Sequence, residues 1–384
     1  MLFVINNFEE ENKMNDFTFN APVKIFFGRN AHDNLDDLCK GKKVLLVYGG
    51  NSLKANGTHG KLMEALKNAA VFDFGGNTRP DFKKVEEAVE ICKKNNIDIV
   101  IGAGGSSCMD MSKMIAFGAA NDVDLWAFVK ERDSRPDAKH LPVILIPTFP
   151  MGGSEVDGAS EIDDFETGEH GAIYDMFGNY AILNPEFTYG LGKTATAYGA
   201  FATIVQLSTK VVGNFTVSRE FSKTLIQTVL KQLDVAVKDP NNYEARADLM
   251  WAASMGTMGL LDCGKTYAYG DDFYNVEGIG EELCGIQYRE AICIIFPHWL
   301  KGLAKRHKDD ILDFMGLFGA SDIEEGVQKI TAIFESYGIK MHYDDFTPLD
   351  EARLSEILIR RRGRSAEFSE NELREMIHSG FKAL

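Results

Sequence analysis

The chain has no CxxC pair. Its six cysteines (Cys39, Cys92, Cys108, Cys263, Cys284 and Cys293) are scattered over 384 residues. That spacing excludes a zinc ribbon and a disulfide framework, and leaves buried free thiols in a reducing, cytoplasmic setting as the expectation. No apolar run approaches the roughly 18 residues that a membrane span requires. Positive charge is scarce: 41 Lys and Arg stand against 57 Asp and Glu, a formal net charge of -16. An excess of that size argues against nucleic acid or an anionic membrane as partner. Histidine is missing from the whole stretch between His170 and His298, so the middle of the chain offers no imidazole to a metal. There is neither an internal repeat nor a low-complexity segment. Residues 1–7 lack the basic region and apolar length of a signal peptide. Glu9–Met14 (EEENKM) could encode a ribosome-binding site ahead of a start at Met14, and residues 1–13 are expected to add little.

The most informative segment present is Ile99–Lys113 (IVIGAGGSSCMDMSK). An apolar strand runs into a glycine turn, and a helix opens with Asp110 and Lys113 in its first turns. Glycines let the backbone approach a pyrophosphate, and the N–H groups of a helix start bind anions without a cationic side chain. Around it, from about 22 to 190, strand and helix patterns alternate. Strands are expected at 23–27, 43–48, 70–74, 97–101 and 142–146, and helices near 31–39, 58–69, 81–95 and 108–120. Such alternation implies a parallel sheet covered on both faces, with ligands outside the carboxyl ends of the strands. After about 191 helical patterns take over, at 195–212, 217–236, 243–262, 289–305, 322–336 and 368–380. The expected architecture is α/β plus all-α. A dinucleotide-binding α/β domain over 1–190 precedes an all-helical domain over 191–384, with the active site in a cleft between them.

Several segments together resemble the iron-containing (group III) alcohol dehydrogenases, in particular the butanol dehydrogenase and NADPH-dependent aldehyde reductase branch. They are Pro22–Gly28 (PVKIFFG), Val47–Gly57 (VYGGNSLKANG), Gly104–Lys113, Thr148–Glu155 (TFPMGGSE), Asn184-Pro185 and Arg246–Ala253 (RADLMWAA). The resemblance runs from about Phe17 to the C-terminus. It implies a dehydroquinate-synthase-like fold with a Rossmann-like first domain. It also implies a bound dinucleotide, hydride exchange between alcohol and aldehyde at a divalent metal, and a homodimer in which the strand near Val23–Phe27 pairs across subunits.

Carried over residue by residue, Gly49, Gly50, Asn51, Ser52 and Lys54 meet the adenosine end of the cofactor. Gly104, Gly105, Ser106, Ser107 and Asp110 hold the pyrophosphate and nicotinamide ribose, and Thr148 and Gly152–Ser154 line the rest of the groove. No acid stands in the Gly49–Lys54 turn to meet a ribose 2′-hydroxyl, so NADP(H) is favoured over NAD(H). Ser106 replaces a third glycine, and His170 takes the place of a lysine near the nicotinamide ribose.

The chemistry departs from the family. Its metal is held by an Asp and three His, and the first two stand at i and i+4 on one helix. Those positions fall here on Ala202 and Gln206, in Tyr198–Gln206 (YGAFATIVQ), and the other two fall on Glu281 and Tyr288. Ala has no donor atom, and Gln is a poor ligand for iron or zinc. The usual metal site is therefore expected to be absent. Glu277 and Glu281, with Tyr288 and Asp271 or Asp272, could offer oxygens to a harder cation, although two glutamates one turn apart ordinarily mark a solvated face.

Without a metal, a tyrosine made acidic by a neighbouring cation can serve as proton donor. The candidates are Tyr288 beside Arg289 and Tyr267 near Lys265, with surface or packing tyrosines as the ordinary alternative. Cys284 and Cys293 read as core thiols, and His298 reads as a structural residue at a helix start. Three functions remain open: an NAD(P)-dependent alcohol or aldehyde oxidoreductase with an altered or absent metal, a different oxidoreductase of the same fold with a new substrate admitted by the remodelled cleft, and a dinucleotide-binding pseudoenzyme acting as sensor or partner subunit.

Overall fold

A computed structural model describes residues 15–131, 139–212, 216–264 and 269–381. Residues 1–13 and the pair Lys265 and Tyr267 therefore lie outside the described residues. The chain forms two compact units, one comprising Phe19–Leu191 with Lys238–Gly259, the other mainly Gly192–Val237 with the chain from Leu260 onward.

The first unit is an α/β layer structure. In order it contains β1 (Lys24–Phe27), α1 (Asn34–Cys39), β2 (Lys43–Tyr48), α2 (Ser52–Ala55), α3 (Thr58–Ala65) and β3 (Ala70–Phe74). There follow α4 (Phe82–Asn95), β4 (Ile99–Gly104), α5 (Ser106–Ala120), α6 (Leu125–Lys130), β5 (Val143–Pro147), β6 (Ser160–Asp164), β7 (Glu169–Ile173) and β8 (Tyr180–Leu183). Six strands make one sheet in the order β1-β8-β5-β4-β2-β3, and β1 lies at its edge. All of its pairings are parallel. β6 and β7 form a separate antiparallel hairpin.

The apolar runs explain this arrangement. All six residues of β4 and all five of β5 are buried, as strands covered on both faces must be. Successive side chains go to opposite cores. Leu45 and Val47 of β2 join Val100, Leu145 and residues of α4 and α5, whereas Val44 and Leu46 join Ile101, Ile144 and residues of α1 and α3. α4 is started by Asp81, whose side chain accepts from the Lys83 N–H, and it stops at Asn96 in the left-handed region (φ 52°). Both are ordinary cap chemistry.

The second unit is helical, as the fading strand signals imply. α7 (Lys193–Val211) and α8 (Thr216–Lys238) precede α9 (Tyr243–Thr257), which belongs to the first unit; its Met250 packs with Ala181 and Leu183 of β8. The chain then builds α10 (Tyr269–Cys284), α11 (Tyr288–Leu303), α12 (Lys308–Gly316), α13 (Ile323–Ser336), α14 (Glu351–Arg360) and α15 (Glu370–Ser379). α11 packs against α7, α10, α12, α13 and α15. Around it Phe201, Phe273, Phe296, Phe314 and Trp299 stack edge to face, with ring centroids 5.2–6.0 Å apart. His298 does not open a helix. It follows Pro297 inside α11, because the apolar run around it carries the helix through the proline.

Periodicity does not disclose α6, the β6–β7 hairpin, β8, α10, α12 or α14. The hairpin is short and polar on one face, and α10 carries Gly278 and Gly280 among its buried positions. The expected helices over 58–69 and 243–262 stop earlier, at Ala65 and Thr257.

α5 packs closely on β4 at Gly102. A Cβ on Gly102 would lie 2.5 Å from Ser112 Oγ and 3.2 Å from the Cys108 carbonyl oxygen. Gly102→Ala must push the helix off the strand, and is expected to cost about 1–3 kcal/mol, read as a lower denaturant midpoint. An unchanged midpoint would show that the contact is not tight.

Candidate functional site

The turns after β2, β4 and β5 meet at the carboxyl edge of the sheet, since these strands are neighbours in the order β5-β4-β2. From β2 the chain passes outward to β3, and from β4 it passes the other way to β5. The sheet therefore reverses its winding between β2 and β4, which is where open α/β sheets bind ligands. This places the Gly49–Ser52 turn beside the Gly105–Ser107 turn. The Thr148 N–H donates to the Gly104 carbonyl (2.9 Å), which adds the third loop. Asn77 ties the rim together, donating through Nδ2 to the carbonyls of Tyr48 (3.1 Å) and Phe74 (2.7 Å). Burial pushes the Cys108 thiol up to about 12, so it packs under the turn as a neutral group with Sγ 3.2 Å from the Asn77 carbonyl.

α5 begins at Gly105 with no side chain capping it. Its first N–H groups, those of Ser106 and Ser107, have no acceptor within the helix. Gly105 and Gly152 keep the space in front of them open: a Cβ on Gly152 would lie 2.9 Å from Ser106 Oγ. Ser106 thus directs its hydroxyl toward Gly152. An uncapped helix start, glycines facing it and half-buried surroundings fit a pyrophosphate.

Beneath this rim lies a buried charged cluster. Lys113 has no exposed side-chain surface; its ammonium is 2.9 Å from Asp157 Oδ1 and 3.6 Å from Asp110 Oδ1. It also donates to the carbonyls of Ala159 (2.5 Å) and Asp157 (3.3 Å). Burial works against the charge of Lys113, but Asp157 and Asp110 outweigh it and raise its pKa. Ser154 Oγ donates to Asp110 Oδ1 (2.5 Å), and Ser254 Oγ donates to the buried Glu155 carboxyl (2.6 Å). Burial pushes Asp110 up to about 7, opposed by Lys113 and reinforced by Asp157. Burial raises Glu155 and Asp157 as well. Sequence reasoning paired Asp110 and Lys113 with the helix start. It missed Asp157 and Ser254, which only tertiary structure brings to them.

At the other end of the rim, Asn51, Ser52 and Lys54 are exposed. The turn itself has no acid, but Asp73 at the end of β3 reaches it. Asp73 accepts from Tyr48 Oη (2.7 Å), pairs with His59 Nε2 (2.9 Å) and lies 3.5 Å from Lys54 Nζ. Burial would raise its pKa, yet the hydrogen bonds of His59 and Tyr48 outweigh that and hold it below its ordinary value. His170 lies on β7 and pairs with Asp163 (2.8 Å).

The four family metal positions fall in the second unit. Ala202 and Gln206 are buried one turn apart on α7, Glu281 is half-buried on α10, and Tyr288 is the first residue of α11. These three helices pack together. The side chains offered are a methyl, a carboxamide, a carboxylate and a phenol, a set that does not fit iron or zinc. Among the described residues, no group of three or more His, Cys, Asp or Glu side chains is placed to hold a metal ion. Glu277 is buried rather than solvated. Asp272 accepts from Ser365 Oγ (2.5 Å) and the Ala366 N–H (3.0 Å). Cys293 is buried and Cys284 half-buried. Arg289 donates to Glu290 Oε1 (2.7 Å), its guanidinium 5.6 Å from the Tyr198 ring, and the Tyr274 and Tyr288 rings are 6.4 Å apart.

Removing the cation from the buried cluster should be costly in a pH-dependent way. Lys113→Met leaves Asp110 and Asp157 unpaired and is expected to cost about 3–5 kcal/mol at pH 8. The loss should shrink at pH 6, because carboxyls with raised pKa values take up protons there and shed their charge. Denaturant unfolding at the two pH values reads this, and an equal loss at both would contradict it.

Comparison with known proteins agrees with this architecture. The family profile described as iron-containing alcohol dehydrogenase matches residues 22–185. NADH-dependent butanol dehydrogenase A of Clostridium acetobutylicum is 33% identical over 302 residues, 75% of this chain and 76% of that protein. NADPH-dependent aldehyde reductase YqhD of Escherichia coli K12 is 27% identical over 354 residues, 87% of this chain and 89% of that protein. The crystal structure of NADH-dependent butanol dehydrogenase A from Thermotoga maritima matches with a TM-score of 0.84 at 25% identity, over 96% of this chain and 100% of that one. A parallel-sheet unit with an uncapped glycine turn, a helical unit and relatives of this similarity lead to one conclusion: the chain belongs to the iron-containing alcohol dehydrogenase family.

Proposed function

We propose that the protein transfers hydride between a nicotinamide dinucleotide and a small alcohol or aldehyde, without the transition metal its relatives' family name implies. The observation that carries the first half is the uncapped start of α5 at the winding reversal of the sheet, in a chain of this family. The donor set at Ala202, Gln206, Glu281 and Tyr288 supports the second half.

NADP(H) is the favoured cofactor. Asn51, Ser52 and Lys54 present no carboxylate of their own, and the charge of Asp73 is already engaged by His59, Tyr48 and Lys54. One relative is named for NADH and another for NADPH, so the choice rests on these residues.

Reduction of an aldehyde places a hydride on carbon and a proton on oxygen, and negative charge builds on that oxygen as the hydride arrives. Tyr288, the first residue of α11, is the candidate proton donor; the guanidinium of neighbouring Arg289 is engaged by Glu290. A positioned general acid contributes roughly 10²–10⁴-fold.

The test is NADPH oxidation by short aldehydes after treatment with a chelator, with NADPH and NADH affinities measured by fluorescence. Turnover that survives chelation, tighter binding of NADPH, and a drop of about 10²-fold or more in kcat for Tyr288→Phe are expected. Dinucleotide binding with no turnover on any aldehyde or alcohol would overturn the enzyme reading in favour of a dinucleotide-binding sensor or partner subunit.

A further inference from the structure

Lys113 directs its ammonium to Asp157 Oδ1 and the carbonyls of Asp157 and Ala159. Asp110 is left with an attraction at 3.6 Å and one hydrogen-bond donor, Ser154 Oγ. The groups facing Asp110 are Lys113 from its own helix, Ser154 and Asp157 from the segment after β5, and Glu161 from β6. Buried Glu155 adds a further carboxyl close to Lys113. One buried carboxyl, Glu155, and two partly buried ones, Asp110 and Asp157, thus share one buried ammonium, an imbalance relieved by binding a proton.

Asp110 is four residues into α5 from Ser106, about 6 Å along the axis from the helix start at 1.5 Å per residue. Its hydrogen-bond partner Ser154 belongs to the same loop as Gly152, which faces Ser106. A diphosphate on the first N–H groups of α5 therefore brings fixed negative charge to little more than one helical turn from Asp110, whose side chain is mostly withdrawn from solvent.

Resting on the reading of this helix start as a dinucleotide site, we propose that binding of the dinucleotide is coupled to uptake of one proton by the Asp110 carboxyl. Asp110 is then a positioning residue whose charge sets affinity: ionised it repels the diphosphate, and protonated it donates a hydrogen bond within the cluster. A site that gains a proton on binding loses affinity as pH rises between the free and bound titration midpoints, by up to about tenfold per pH unit.

NADH is the probe, because it lacks the titrating 2′-phosphate of NADPH. Calorimetry at pH 7 in two non-phosphate buffers of different ionisation enthalpy should report net uptake of up to about half a proton, because a carboxyl with its midpoint near 7 is already about half protonated before binding. The NADH Kd should weaken from pH 7 to 8.5, while Asp110→Asn shows neither proton uptake nor that weakening. Ser154→Ala, which removes the sole hydrogen-bond donor to Asp110 and leaves both charges in place, should move the midpoint of the pH dependence upward. NADH binding with no proton exchange, or with the same uptake in Asp110→Asn, overturns the proposal. Failure of both NADH and NADPH to bind overturns the dinucleotide reading itself, and the proton linkage with it.

Discussion

Lys113 is held in the interior of the first unit by Asp157 at 2.9 Å, and Asp110 stands 3.6 Å away. A buried ammonium is tolerated only with such partners, because desolvation otherwise costs several kcal/mol. The pairing fixes the segment after β5 against α5. That segment brings Gly152 opposite Ser106 and Ser154 onto Asp110, and Ser254 of α9 secures it from the other side through Glu155. The shape of the rim at the start of α5 thus depends on a charge pair one turn beneath it. Gly153 shows how closely the segment is held: it adopts φ +67°, and a Cβ there would fall 1.6 Å from Thr257 Oγ1.

The two halves of the family's chemistry lie in different parts of the chain. The residues suited to a dinucleotide are all in the first unit, and the four altered metal positions are all in the second. A divalent metal stabilises the developing charge of hydride transfer by several kcal/mol. On the proposed metal-free reading, the Tyr288 phenol at the start of α11 replaces only part of that, and slow turnover is what the reading predicts.

Much of the first unit was legible because its strands are apolar runs of five or six residues bounded by glycine turns; β2, β3 and β5 appear within a residue of their expected places. The rim residues followed from the same runs, since a ligand site in a parallel sheet lies at the strand ends. What was not legible depends on contacts between distant segments. Asp73 lies inside a strand just before the Gly75-Gly76 turn, with nothing in the sequence to tie it to Lys54, yet it reaches Lys54 because β3 pairs beside β2. Asp157 and Ser254 meet the site only through folding of the loop and α9. α10 was hidden by its glycines: Gly280 lies where a Cβ would meet Tyr343 Oη at 2.0 Å, so close packing rather than helix propensity chose the residue. The metal positions were assigned through the family resemblance, and the structure adds that Ala202, Gln206, Glu281 and Tyr288 lie on three helices that pack together.

The most direct test of the account is the metal content of the purified protein, expressed in medium supplied with iron and zinc and shown to bind NADPH. Elemental analysis should find no stoichiometric iron, zinc or other divalent transition metal in protein that retains NADPH binding. One metal ion per chain, lost together with aldehyde turnover on chelation, would contradict the account.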